Sequence, residues 1–302
     1  MEKNTKNINN NRYFRLREHL NTFILVLPWI IVLLIFWTYP LIYSGYLSLT
    51  EYQTLTNKAT FVGFNNYLKL FNDEIFWKSV SNTLYFVSLT VPITITISLF
   101  LAELINRKIS KFKGFWQASY FIPSITSMVV IALIFTNIYS QDGYLNSLLK
   151  FAGLPYSKEG FLLNIDTALN SIIAMDIWLS IGYYMVLFLA GMQTISNDLY
   201  ENAQLSGANF GQMLWHITIP GLRNTIAFVI MIDLIKSFQV FIEVFVMTKG
   251  GPLYSTTTIV YNIFDQAFIK SNSMGLASAM AYLLFFFLLI FSFLQIKLSK
   301  QQ

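Results

Sequence analysis

Six stretches rich in apolar residues, each long enough to cross a hydrocarbon layer, constrain this chain more than any other feature. A membrane-spanning helix needs roughly 20 apolar residues. The sequence predicts spans over about 23–47, 80–105, 115–139, 169–192, 220–247 and 277–296. Backbone N–H and C=O groups find no water in hydrocarbon, so each span has to close its own hydrogen bonds as a helix. The fold class that follows is an all-α membrane protein with six transmembrane helices. Pro28, Pro40, Pro92 and Pro123 lie within or near the spans; such kinks are tolerated where neighbouring groups re-satisfy the backbone. Only 12% of residues are charged against 55% hydrophobic, where a soluble domain carries about 25% charged residues.

Charge sets the expected orientation. With the N-terminus inside, the inner segments hold twelve cations, among them Arg12, Arg15, Arg17 and the cluster Arg107, Lys108, Lys111 and Lys113. The outer loops hold seven, and Lys236 falls inside the fifth span. The cluster after the second span decides the orientation by the positive-inside rule. A segment 1–22, the six-span domain 23–298 and a tail 299–302 are then expected, with both termini cytoplasmic. The basic start is not expected to be a cleaved leader, because the apolar run after it is too long. The same distribution accounts for the net charge of +5 without nucleic acid. The outer segment 51–77 reads as a short amphipathic interfacial helix, and 141–166 as a longer loop.

Between the fourth and fifth spans, at about 196–218, lies a segment longer than a simple return requires. It contains Tyr200-Glu201-Asn202-Ala203-Gln204-Leu205-Ser206-Gly207-Ala208 and runs on to His216-Ile217-Thr218-Ile219-Pro220. Asp198 and Glu201 have the spacing of a capping box, which predicts a helix through Leu205. Gly207 permits a turn. A second helical stretch over 209–217 ends before Pro220, a residue suited to open the fifth span. Ala203, Gly207 and Ala208 are small enough for another surface to come close, with Phe210, Met213 and Leu214 as apolar contacts. Two readings stand: an interfacial loop with no partner, or a docking elbow for a protein outside the membrane.

The spacing Glu-x-Ala-x-x-x-Gly-Ala at Glu201, Ala203, Gly207 and Ala208, followed by Ile217-x-x-Pro220, resembles the coupling loop of ATP-binding-cassette (ABC) importer permeases. Other blocks follow in the family's order. Tyr39-Pro40-Leu41, Phe61-Val62-Gly63-Phe64-Asn65-Asn66-Tyr67, Ser81-Asn82-Thr83-Leu84, Phe188-Leu189-Ala190-Gly191-Met192-Gln193 and Met247-Thr248-Lys249-Gly250-Gly251-Pro252 are similar to the sugar-uptake subfamily, the group of maltose, multiple-sugar and glycerol-3-phosphate permeases. The family usually has Ala at Asn202 and Asp at Ser206, so an ion pair made there by relatives is in doubt here.

The resemblance implies the type I ABC importer permease fold in a bacterial cell membrane. It also implies a second permease subunit, two ABC ATPase subunits carrying ATP-Mg, an extracytoplasmic solute-binding protein, and a sugar or oligosaccharide as solute. An anionic solute such as glycerol 3-phosphate or a uronic-acid oligosaccharide is the alternative, and an ion-gradient transporter a more distant one. Glu201, Ala203, Ser206, Gly207, Ala208 and Phe210 are then the residues that meet the ATPase.

Ionisable residues inside spans face a cavity or a partner. The fifth span holds Asp233, Lys236, Gln239 and Glu243; the fourth holds Asp176, Trp178, Ser180 and Tyr183. Asp233 and Lys236 stand three apart, a pairing distance on a helix. Asp176, Ser180 and Tyr183 share an arc of roughly 60°. These groups read either as a solute pathway, with donors and acceptors for hydroxyls and aromatic faces for sugar rings, or as charges neutralising one another inside the bundle. Gly250-Gly251-Pro252 reads as a sharp turn. No G-x-x-x-x-G-K-[ST] phosphate loop occurs, and Cys is absent, so no cofactor, metal site or catalytic set is expected in this chain.

Overall fold

The computed structural model describes residues 22–53, 58–106, 112–270 and 273–300. The first span is one helix, α1 (Thr22–Ser48). A hairpin of β1 (Thr50–Gln53) and β2 (Lys58–Phe61) follows, then a short helix α2 (Asn65–Phe71). The second span is α3 (Glu74–Asn106). The third is a pair, α4 (Lys113–Ile125) and α5 (Met128–Ile138). After α6 (Tyr144–Phe151), the fourth span is α7 (Ala168–Met192). The elbow consists of α8 (Asn197–Leu205) and α9 (Phe210–Met213), which runs into the π-helical turn Leu214–Thr218. The fifth span is α10 (Arg223–Phe238) continued by α11 (Ile242–Met247). The shorter apolar helix α12 (Ile259–Phe264) leads to the last span, α13 (Met274–Lys300).

The expected helical membrane fold is present, with local differences. Four of the predicted spans are single helices, the fifth is α10 continued by α11 across a break, and the third is bent by 95° between α4 and α5. Thr126 and Ser127 are extended there, with ψ of 150° and 125°. Pro123, inside α4, has no N–H to offer the helix and crowds the carbonyl four residues before it, on the side away from the bend. The segment after α1 is not purely helical either. Thr50 pairs with Phe61 and Tyr52 with Ala59 in an antiparallel register, and the predicted interfacial helix shortens to α2. Of the cationic cluster that set the orientation, Arg107, Lys108 and Lys111 lie outside the described residues, as does the segment 1–21.

Small residues set the packing. The α3 and α7 helices lie against each other over much of their length, and α4 crosses α7. At that crossing a Cβ on Gly182 would collide with the Tyr120 carbonyl and reach 3.0 Å from Phe121 Cα. Ser124 Oγ donates to the Leu179 carbonyl at 2.8 Å, and Ser98 Oγ to the Ile181 carbonyl at 3.0 Å. Without a hydrophobic drive between helices in lipid, such close approach and interhelical hydrogen bonding take over the work of association. The Asn82-Thr83 pair has a similar role at the other end of α3. Asn82 Nδ2 donates to the carbonyls of Tyr254 and Thr257, both at 2.9 Å, and Thr83 Oγ1 accepts from the Ile259 N–H at 3.0 Å.

Much apolar surface stays exposed. The apolar window of α1 buries nothing, and Trp29, Phe36 and Trp37 stand on its surface. That is the pattern of a helix facing lipid or another membrane protein. The obstruction at Gly182 is backbone, so it cannot rotate away. Gly182→Val therefore forces α4 off α7, at a cost at or above the roughly 1–3 kcal/mol typical of overpacking. The expected outcome is lost yield of membrane-inserted protein and a lowered melting midpoint in detergent; an unchanged midpoint contradicts the packing described.

Candidate functional site

The elbow is built by two caps. Ser196, not Asp198, is the N-cap of α8: its hydroxyl accepts from the Asp198 N–H at 3.3 Å. The predicted Asp198–Glu201 capping box is therefore not formed. Serine and aspartate are both good N-caps, and Ser196 takes the extended backbone that the position needs, with ψ of 132°. The α8 helix ends as a Schellman motif. The Ala208 N–H bonds the Ala203 carbonyl at 2.9 Å and the Gly207 N–H bonds the Gln204 carbonyl at 3.0 Å, with Gly207 left-handed at φ 79°. Nothing lies within 4 Å of a Cβ built on Gly207, so backbone conformation rather than space calls for glycine. A complete capping box does occur, one helix later. Asn209 Oδ1 accepts from the Gln212 N–H at 2.9 Å, and Gln212 Oε1 accepts from the Asn209 N–H at 2.8 Å.

On this elbow Glu201, Ser206 and Gly207 are exposed, while Ala203, Ala208 and Phe210 are half-buried. Phe210 packs edge-on against Phe100 of α3 at 6.3 Å, and Met213 is buried in the chain's own bundle. The apolar groups that the elbow presents outward are instead Leu199, Leu205 and Trp215. Their periodicity is too short to have marked them in the sequence. Between the elbow and the ends of α3 and α7 lies a cavity of about 610 Å³, lined by Glu103, Lys113, Gln193, Tyr200, Glu201 and Met213 among others. Pro220 opens only the turn Ile219–Gly221; Leu222 interrupts it, and the fifth span begins at Arg223.

In the span interior, Lys236 does not pair with Asp233. Its Nζ donates to Asp176 Oδ1 of α7 at 3.0 Å and to Ser180 Oγ at 2.6 Å. Asp176 and Ser180, one turn apart on α7, form a single acceptor face, and that face wins over the neighbour three residues away on the same helix. The Asp176 side chain is 2% exposed and that of Lys236 39%. Asp233 and Glu243 lie within electrostatic range of Lys236 as well, so three carboxylates act on one ammonium. Both Asp233 carboxylate oxygens and Ser237 Oγ are buried without a hydrogen-bond partner among the described residues. Tyr184 stands beside Asp233 without closing a bond to it.

The fifth span is broken just beyond these groups. Gln239 and Phe241 leave helical geometry, the latter at φ −142°. The Val240 carbonyl, in the break, is taken up by Thr258 Oγ1 at 2.9 Å. The helix that carries Asp233 and Lys236 therefore does not continue through Gln239 to Glu243. Gln239 is exposed and Glu243 buried. Trp178 stands two residues from Asp176, across α7, with its ring 5.3 Å from that of Phe135. Tyr183 is 43% exposed and meets Tyr184 edge-on at 5.2 Å. The structure thus joins Asp176, Ser180 and Lys236 directly and leaves Trp178 on another face.

A six-span bundle with a two-helix elbow before the fifth span can be compared with known proteins. The family described as binding-protein-dependent transport system inner membrane component matches residues 76–300. The chain belongs to this family.

Among curated members, a lactose transport system permease, LacF, from Rhizobium radiobacter is 31% identical, covering 94% of this chain and 95% of its own. A multiple sugar-binding transport system permease, MsmF, from Streptococcus mutans is 32% identical, covering 92% and 94%. Of solved structures, a bacterial ABC transporter involved in import of the acidic polysaccharide alginate superposes with a TM-score of 0.84 at 25% identity, over 96% of this chain and 98% of the other. As in the family, this permease is a multi-pass inner-membrane translocation component.

The Asp176–Lys236 bridge makes a testable claim about the permease. Breaking a fully buried pair from one side costs roughly 3–5 kcal/mol; with Lys236 partly exposed, Lys236→Met is expected to cost about 2–3 kcal/mol. The combined Asp176→Asn/Lys236→Met variant removes the stranded charge and recovers most of the loss. Melting midpoints of the purified variants check this, and a double variant as weak as the single one contradicts it.

Proposed function

We propose that this chain is a permease subunit of an ATP-driven importer of a sugar or oligosaccharide, with the elbow as its coupling element. The observation that carries the reading is the elbow itself: two capped helices held at a left-handed Gly207, exposing Glu201, Ser206 and the apolar Leu199 and Leu205. Relatives named for lactose and multiple sugars match over nearly their whole length, which supports the solute class. In this reading the elbow faces the cytoplasm, as do both termini. Two ATPase subunits bind ATP-Mg and grip the region of Glu201, Ala203, Ser206, Gly207, Ala208 and Phe210. A second permease completes the pathway, and an extracytoplasmic binding protein delivers the solute. Closure of the ATPases moves the elbow, and the spans attached to it alternate the access of the central cavity.

Asp176, Trp178, Tyr183, Asp233, Lys236, Gln239 and Glu243 are assigned to that pathway and its walls. Exposed Gln239 and Tyr183 suit contact with a sugar, one by hydrogen bonding and one by its ring face. Lys236, already held by Asp176 and Ser180 and acted on by further carboxylates, offers an anion no free cation. That weighs against an acidic solute, although the alginate importer shares the fold.

The test is transport by the purified complex in liposomes, with its binding protein supplied and radiolabelled lactose and maltotriose as probes. Uptake that requires ATP and survives a proton ionophore is the expected result. Proton-driven uptake by this chain alone, or a complex lacking any ATPase, overturns the reading.

A further inference from the structure

The elbow is fastened to the second span by a buried hydrogen-bonded chain that the coupling-loop residues do not include. Glu103 sits near the end of α3 and is 3% exposed; Thr218, at the end of the π-helical turn, is fully buried. Thr218 Oγ1 donates to Glu103 Oε2 at 3.2 Å. Tyr200 of α8 lies with its hydroxyl 3.0 Å from the same Thr218 oxygen. A threonine hydroxyl has one proton. Since that proton is directed to the carboxylate, the bond to Tyr200 has the phenol donating. The chain therefore has one polarity: Tyr200 to Thr218 to Glu103. It links three elements, namely the first elbow helix, the π-helical turn that closes the elbow and the end of the second span, the last of them 115 residues from Thr218. The Phe100–Phe210 edge contact at 6.3 Å adds a second fastening one helical turn along α3.

We propose that Glu103, acting through Thr218 and Tyr200, is a positioning residue that latches the elbow to the second span, so that the two move as one body. The proposal rests on the coupling role given to the elbow above. Between the elbow and α10 lie the short turn Ile219–Gly221 and Leu222, with the Leu222 N–H bonded to the Thr218 carbonyl at 2.9 Å and the Ile226 N–H to the Leu222 carbonyl at 2.7 Å, so displacement of the elbow reaches the fifth span along the chain. Through Glu103 it reaches α3 directly. The α3 helix in turn packs along α7 and against α10. Glu103 supplies the acceptor oxygen of the latch; at 3.2 Å the bond is longer than a charge-assisted O–H···O bond, so a neutral amide oxygen at the same place can take its part. A cavity of about 610 Å³ lies on one side of Glu103 and Tyr200, so packing is incomplete on that side and the hydrogen-bonded chain adds to what holds the register there.

The chain carries no cysteine, so spin labels can be placed at Asp198→Cys on α8 and Leu104→Cys on α3, both on exposed positions. Their separation is measured in the whole complex, first without nucleotide and then trapped with ATP and vanadate. With the latch intact, the distribution is narrow and the same in both states to within about 2 Å, the scale of ordinary helix shifts. In Glu103→Ala and Tyr200→Phe the distribution broadens, and ATP–vanadate shifts it as the elbow moves without the span. Glu103→Gln keeps an acceptor oxygen and restores the narrow distribution, which a loss of packing alone would not allow.

A Glu103→Ala complex that keeps the narrow, state-independent separation overturns the latch. So does a Glu103→Gln complex as broad as Glu103→Ala. If Glu103→Ala fails to assemble, Thr218→Val, which keeps the shape and removes both bonds, gives the same two readings. Phosphate release from ATP by the wild-type complex is measured in parallel. Its absence counts against the coupling role of the elbow, while the nucleotide-free width still decides the latch.

Discussion

Polar groups in an apolar solvent have to find partners inside the protein, and this bundle answers that demand with short hydroxyl and amide side chains. Ser98 and Ser124 reach carbonyls of α7. Thr258 takes up the carbonyl freed where the fifth span breaks, and Asn82 fastens the turn between α11 and α12 to α3. Each bond ties one helix to another, so the same groups that satisfy the backbone also fix the arrangement of the spans. Gly182 lets α4 and α7 approach closely enough for the Ser124 bond to form.

The charged groups obey the same rule less completely. Lys236 is satisfied across the bundle by Asp176 and Ser180, whereas Asp233 keeps two buried oxygens without a donor among the described residues. The break in the fifth span lies a few residues beyond it. Irregular backbone at membrane depth is tolerated where protein or a cavity surrounds it. Broken helix, exposed Gln239 and crowded carboxylates together make the middle of α10–α11 the most polar point of the span interior, and the reading of a neutral saccharide pathway is drawn there.

Spans were legible because their signal is length and apolarity, and α7 begins and ends within a residue of expectation. The bend at Thr126–Ser127 was not, although Pro123 stood nearby; hydropathy carries no record of backbone dihedrals. The break at Gln239 had no Gly or Pro to announce it, and the group that stabilises it, Thr258, is distant in sequence. Lys236 was given a local partner because helical spacing is all that one helix reveals; Asp176 lies 60 residues away. The cap at Ser196 and the one read at Asp198 were separated only by two residues of similar chemistry. Gly207 was readable as a turn because its requirement is intrinsic to the backbone. Glu103 carried no motif at all: a lone carboxylate at the end of an apolar run becomes meaningful only when Thr218 is placed on it.

The account turns on the elbow being gripped by a protein engine on the cytoplasmic side. A photo-crosslinking residue at Ser206, exposed at the end of α8, tests this in intact membranes during turnover. One adduct, to an ATPase subunit, and protection from membrane-impermeant reagents added outside the cell, is the result predicted. Adducts to lipid alone, or labelling from outside, contradict it.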